Sequence, residues 1–260
     1  MSKLKKNFRI KTEVAFALSQ FSIDAEFLNF LPDDLVHFEK LNSENRLEIV
    51  LVDHNNRVAA LEKFTDRIIL VLDHHKMIEP TTLPPGCNVV IKMVGSCASV
   101  VQNWAKNELK ISGTIKKVFL MSQKLLLTMN FARKKMSFYL IKDLPSELRK
   151  LVAETILIDT ANFSPNQLVD DLDRDEYEWS ISGLSEWDRE NVYSDITKAR
   201  FDISGLSPRE LLLKDAKFVT CKNKRAIFSS TLHCDLEDFF NTPGVFEDLK
   251  VSHHIYKLKT

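Results

Sequence analysis

Three short stretches of this 260-residue chain place carboxylates beside imidazoles or hydroxyls: Asp53-His54-Asn55 in LVDHN, Asp73-His74-His75 in LDHH, and Asp159-Thr160 in IDT. Carboxylate oxygens and imidazole nitrogens make a mixed O/N donor set that suits Mn²⁺, Fe²⁺, Co²⁺ or Zn²⁺. A single Asp-His pair is an ordinary way to end a strand in a polar turn. Two such pairs, twenty residues apart and each directly after an apolar run, point instead to neighbouring strand tips that converge on a divalent cation.

The elements that must position these residues read as strands and helices in alternation. Arg46–Asp53 (RLEIVLVD), Arg67–Asp73 (RIILVLD) and Asn88–Val94 (NVVIKMV) are apolar, partly β-branched runs. Helical spacing is expected over Thr12–Phe21, over Asn56–Phe64, and from Cys97 to about Leu109 after Gly95 and Ser96. Apolar strands separated by helices predict an α/β fold, a parallel sheet with helices on both faces. Ligands in such open sheets gather outside the carboxyl ends of the strands, where both Asp-His pairs fall. Leu144–Glu154 is helical and runs into ILIDT, which sets Asp159 at the end of another buried stretch, grouped with the strand tips. Gln167–Glu178 (QLVDDLDRDEYE) reads as a solvated acidic loop. Asp188–Arg200 reads as a helix, and another opens with Ser207 at N-cap, Pro208 at N1 and Glu210 at N3. A strand over Lys224–Thr231 and a short helix over Asp235–Phe240 follow.

Composition narrows the function classes. With 36 Lys+Arg against 36 Asp+Glu, the chain offers no broad basic track for nucleic acid. The four cysteines, Cys87, Cys97, Cys221 and Cys234, form no CxxC pair, which points to reduced thiols in a cytoplasmic setting. Cys97 and Cys221 read as small packing residues. No run reaches eighteen apolar residues, so neither a membrane span nor an export signal is expected. Six glycines are too few for Gly-rich phosphate loops, leaving metals and side chains to handle any phosphate chemistry.

LVDHN, LDHHKMIEP, VGSCAS (94–99) and ILIDT, in that order, resemble successive motifs of the DHH phosphoesterase superfamily. IEP, GSCA and KARFDISGLSPRELLLKDAKF (198–218) are similar to its Prune branch, related to exopolyphosphatases and manganese-dependent pyrophosphatases. The resemblance covers roughly residues 8–112 and 144–240. It implies a DHH domain over 1–195 and part of a smaller α/β DHHA2 domain over 196–260. It also implies a centre of two Mn²⁺ ions, or Mg²⁺ or Co²⁺, whose bridging water attacks phosphorus in line. By that resemblance Asp53 bridges the metals, and His74 and Asp159 complete one of them. His75 acts at the leaving group, while Asp73, His54 and Asn55 stand behind the ligands. Ser96, at a helix start whose N–H groups could hold an oxyanion, and Lys198 are the expected substrate contacts.

Two features depart from the family pattern. No Asp-x-Asp lies before Asp53, so one metal keeps three protein ligands and the other only the shared Asp53. Gly113–Lys142, with seven Lys or Arg and no Asp or Glu, reads as a basic insertion, a surface helix or translated non-coding sequence. The expected function is metal-dependent hydrolysis of short polyphosphate, pyrophosphate or a cyclic-nucleotide phosphodiester. The competing reading is a catalytically impaired remnant or gene-model fragment serving as a protein-interaction module.

Overall fold

Alternation along two short strands builds the core. In β1 (Ile49–Val52), Ile49 and Leu51 face one way and Val50 and Val52 the other; in β2 (Ile68–Asp73), Ile68 and Val71 oppose Leu70 and Leu72. The first set packs with Phe38 and Leu41 of α2 (Leu35–Ser43), the helix that follows α1 (Thr12–Gln20), and with Leu61 and Phe64. The second packs with Val90 of β3 (Asn88–Ile91) and with Val100 and Trp104 of α3 (Cys97–Glu108). Both faces of the sheet are therefore covered, and each fully buried Leu, Ile or Phe contributes about 1.5–3 kcal/mol.

The structure is a computed structural model describing residues 8–23, 28, 34–56, 59–79, 83–108, 119–122, 146–220 and 226–249. Among these, β3, β2, β1 and β4 (Phe119–Ser122) form, in that order, a parallel sheet. Chain order reverses at β1, because β2 and β3 add on one side and β4 on the other. The carboxyl ends beside β1 are thus a topological switch point, where open sheets of this kind bind ligands. Part of the expected basic insertion is therefore sheet, since 119–122 pair with β1 residue by residue. The rest of that segment, including Met129 and Met136, lies outside the described residues, as do Asp33 and Cys221.

Two further expectations are corrected. The segment expected to be an α-helix over 56–64 is a 3-10 helix, Ala59–Arg67, with non-helical backbone at Phe64. The acidic stretch expected as a solvated loop contains α5 (Asp171–Ile181), started by an Asp170–Asp173 capping box. Its buried stripe is Asp173, Glu176, Tyr177 and Ser180, spaced for one helix face yet mostly polar. Glu176 accepts hydrogen bonds from Gln102, Asn103 and Lys106 of α3, and Ser180 Oγ donates to Gln102. With these bonds made, burial of the stripe is affordable. Tyr177 packs with Ala153, Ile156 and Leu157 of α4 (Ser146–Asp159).

The chain divides into two compact units, residues 17–196 and residues 1–16 with 197–260. In the second unit the buried Lys214 of α7 (Pro208–Lys214) donates to Ile10 O at 2.9 Å and Thr12 Oγ1 at 2.7 Å, which ties residues 10–12 to that helix. The Ser207–Glu210 capping box forms as its letters predict. Leu211 and Leu212 pack with Phe239 of α8 (Leu236–Asn241) and Val245, and β5 (Ala216–Thr220) pairs antiparallel with β6 (Ala226–Ser230).

Candidate metal centre

Asp53 follows β1 directly in the left-handed region, φ 65°. Asp is among the few side chains that visit this region readily, and its N–H is held by Leu72 O at 3.0 Å. The turn ends the strand beside β2. There His74 Nε2 lies 3.1 Å from Asp53 Oδ1, with the two side chains only 16% and 14% exposed. The other nitrogen, Nδ1, donates to Val94 O at 2.9 Å. That bond keeps a proton on Nδ1 and turns Nε2 to Asp53 Oδ1, where a shared proton holds the pair and a bound cation would take that proton's place, the arrangement that orients metal-binding imidazoles generally. Burial disfavours a charged ring here, but the hydrogen bonds to Asp53 and Val94 and the charges of Asp53 and Asp159 outweigh it and lift the His74 pKa.

Asp73 is fully buried and its oxygens are committed. Oδ1 accepts from the N–H groups of His74 (2.7 Å) and His75 (3.2 Å) and faces His75 Nδ1 at 2.8 Å. Oδ2 accepts from Asn55 Nδ2 at 2.7 Å. Asn55 also donates to Lys76 O at 3.0 Å and accepts from Ile78 N at 2.9 Å, which clasps the loop after β2 to the loop after β1. His54 donates from Nδ1 to Val52 O at 2.9 Å, while its buried Nε2 has no protein partner; burial, outweighing the bond to Val52 and the charges of Asp73 and Asp53, lowers its pKa. His75, 55% exposed, packs edge-on against His74 with ring centres 4.3 Å apart.

Among the described residues, donor atoms of Asp53, Asp73, His74 and His75 all lie within 4.8 Å of one another. Asp159 does not join that tight group. It is the last residue of α4, a helix end and not the strand tip expected. Three successive left-handed residues, Ala161, Asn162 and Phe163, stop the helix just beyond it. Ser96 Oγ donates to Asp159 Oδ2 at 2.7 Å, which turns that carboxylate to the loop before α3.

The anion cradle expected at Gly95 and Ser96 is filled from within. Their N–H groups donate to Asp173 at 2.7 and 3.1 Å, and the Ser96 hydroxyl is shared between Asp159 and Ala98 N. Ser96 is fully buried, so its expected substrate contact is replaced by internal bonds. Sequence reasoning missed Asp173; its only signal was the Asp170–Asp173 spacing of a capping box. A Cβ at Gly95 would stand 2.4 Å from Leu168 O and 2.9 Å from Asp173 Oδ2, so only glycine fits. Lys198 is exposed on α6 (Arg189–Phe201) and groups with the other compact unit. Cys97 is buried, its thiol directed to Leu72 O and its pKa pushed far up by burial.

This donor set, one carboxylate and one imidazole fixed through Nδ1 and backed by a buried Asp, fits a divalent cation. The fold has a counterpart of known structure: a Methanococcus jannaschii protein described as a family II inorganic pyrophosphatase, with TM-score 0.61 and 21% identity over 96% of this chain and 68% of that one. No family model matches the chain. Among curated proteins it is 25% identical over 242 residues to exopolyphosphatase PRUNE1 of Rattus norvegicus, and 25% identical over 242 residues to that of Homo sapiens. These alignments cover 92% of the chain and 45–46% of the relatives, so the chain spans about half the length of the curated proteins it matches. The chain is a relative of DHH-superfamily proteins. Within that superfamily it is a relative of the Prune-like exopolyphosphatases.

Proposed function

We propose that this chain hydrolyses phosphoanhydride bonds of short polyphosphate or pyrophosphate with a divalent cation held by Asp53 and His74, and with Asp159, which stands outside their tight group, as the third ligand. The observation that carries the reading is His74: Nδ1–H tied to the Val94 carbonyl and Nε2 set 3.1 Å from Asp53 Oδ1. A cation bound there supplies charge neutralisation for phosphoryl oxygens and acidifies water. The protein's own groups do the rest. Asp73 holds the His75 ring through Nδ1, so Nε2 is the nitrogen left to pass a proton to the departing phosphate. Asn55 locks the loop carrying both imidazoles. The segment from 196 onward corresponds to part of a DHHA2 domain.

The test is phosphate release from tripolyphosphate and from pyrophosphate by the purified chain with Mn²⁺. Slow hydrolysis is expected, abolished by Asp53→Ala and by chelation, with calorimetry finding about one tight Mn²⁺ per chain. Activity untouched by Asp53→Ala rejects the site. The ligand count also favours a second reading, a non-catalytic module that keeps the fold and one cation. Tight binding at one Mn²⁺ per chain without turnover selects it.

A further inference from the structure

We infer that Asp173, which lies outside the donor cluster described above, is the positioning residue for two of the ligands, His74 and Asp159. The inference rests on the metal-centre reading and deepens it. Asp173 is fully buried, and both of its oxygens are saturated: Oδ2 accepts from Gly95 N (2.7 Å) and Asp170 N (3.0 Å), Oδ1 from Ser96 N (3.1 Å) and Ser99 Oγ (2.6 Å). The Gly95 N–H and the Val94 C=O belong to one peptide unit, and that carbonyl receives His74 Nδ1–H at 2.9 Å. A carboxylate on the N–H side of a planar amide polarises its carbonyl and strengthens the bond the carbonyl accepts. One peptide thus links Asp173 to His74 as carboxylate, amide and imidazole in line. One residue on, Ser96 gives its N–H to Asp173 and its hydroxyl to Asp159. A single buried carboxylate therefore fixes the loop whose carbonyl sets the His74 tautomer and whose hydroxyl aims the Asp159 carboxylate. The absence of room for a Cβ at Gly95 keeps that loop pressed against it.

Asp173→Asn keeps the size but turns one acceptor oxygen into a donor facing backbone N–H groups. Loss of such a supporting partner lowers metal affinity by roughly tenfold to a hundredfold, read as Mn²⁺ affinity by calorimetry on the full chain at a temperature where circular dichroism shows it folded. The control is Glu176→Gln, equally buried on the same helix and bonded to α3 but not to the loop. It is expected to lower thermal stability and leave Mn²⁺ affinity unchanged. Equal losses in both variants, or wild-type affinity in Asp173→Asn, overturn the inference. A second readout needs no metal: imidazole ¹⁵N shifts of His74 in the metal-free chain, where Asp173→Asn is expected to lose the fixed Nδ1–H form. If the wild type binds no Mn²⁺ while this tautomer still depends on Asp173, the metal reading fails and the positioning role stands. If Asp173→Asn does not fold, Ser96→Ala carries the test: weaker Mn²⁺ binding supports the inference and unchanged binding rejects it.

Discussion

Replacing Asn55 by Asp tests whether the two Asp-His loops are clasped as described. Asn55 Nδ2 sits 2.7 Å from Asp73 Oδ2, with the two residues 1% and 0% exposed. A second carboxylate at that distance would meet Asp73 with a repulsion of about 6 kcal/mol at an effective dielectric of 20. Taking up a proton caps the loss. From an unfolded-state pKa of about 3.9, holding one proton costs about 5.6 kcal/mol at pH 8 and about 1.5 kcal/mol at pH 5. The introduced acid has a folded pKa raised above its unfolded value, so stability is present at low pH and lost as pH rises through the folded pKa. Asn55→Asp should therefore lose about 4 kcal/mol between pH 5 and pH 8 relative to wild type. Asn55→Ala removes the same hydrogen bonds, at a cost of about 2–4 kcal/mol, without adding that pH dependence. Urea unfolding followed by tryptophan fluorescence, with chelator present, measures both. A pH-independent gap between the two variants, or Asn55→Asp matching wild type at pH 8, refutes the clasp.

Three other outcomes follow from the same geometry. Gly95→Ala should lower stability by about 1–3 kcal/mol or more, because its methyl group would meet Leu168 O at 2.4 Å; an unchanged urea midpoint would contradict the close approach. Burial pushes Glu154, whose Oε2 has no protein partner, up to about 7, so it weakens the fold as pH rises from 4.5 through 7. Glu154→Gln should accordingly raise thermal stability at pH 8, by up to about 3 kcal/mol, and much less near pH 4.5; a gain confined to low pH would reverse the argument. Cys97 should resist alkylation in the folded chain at pH 8 and react only on unfolding, as mass spectrometry of labelled peptides can show.

The apolar letters of β1, β2 and β3 were enough to predict a parallel, doubly covered sheet, because strands buried on both faces carry almost no polar side chains. The Ser207 capping box was legible for a similarly local reason: its two reciprocal bonds are made within four residues. The same holds for the main donors, since Asp53, His74 and His75 directly follow the strands that deliver them. Where burial is polar, the letters mislead. α5 buries Asp173, Glu176 and Ser180 against partners more than seventy residues away, so its core face reads as solvent. The end of α4 looks like a strand because Ile156, Leu157 and Ile158 are β-branched or bulky, yet packing against Tyr177 holds it helical. The sequence alone determined which residues stand at the sheet's carboxyl edge, a matter of adjacency along the chain. Only the tertiary structure decided that Asp173 fills the cradle at Gly95 and Ser96 and that Ser96 turns Asp159, because hydrogen bonds between distant segments depend on packing that no local pattern encodes.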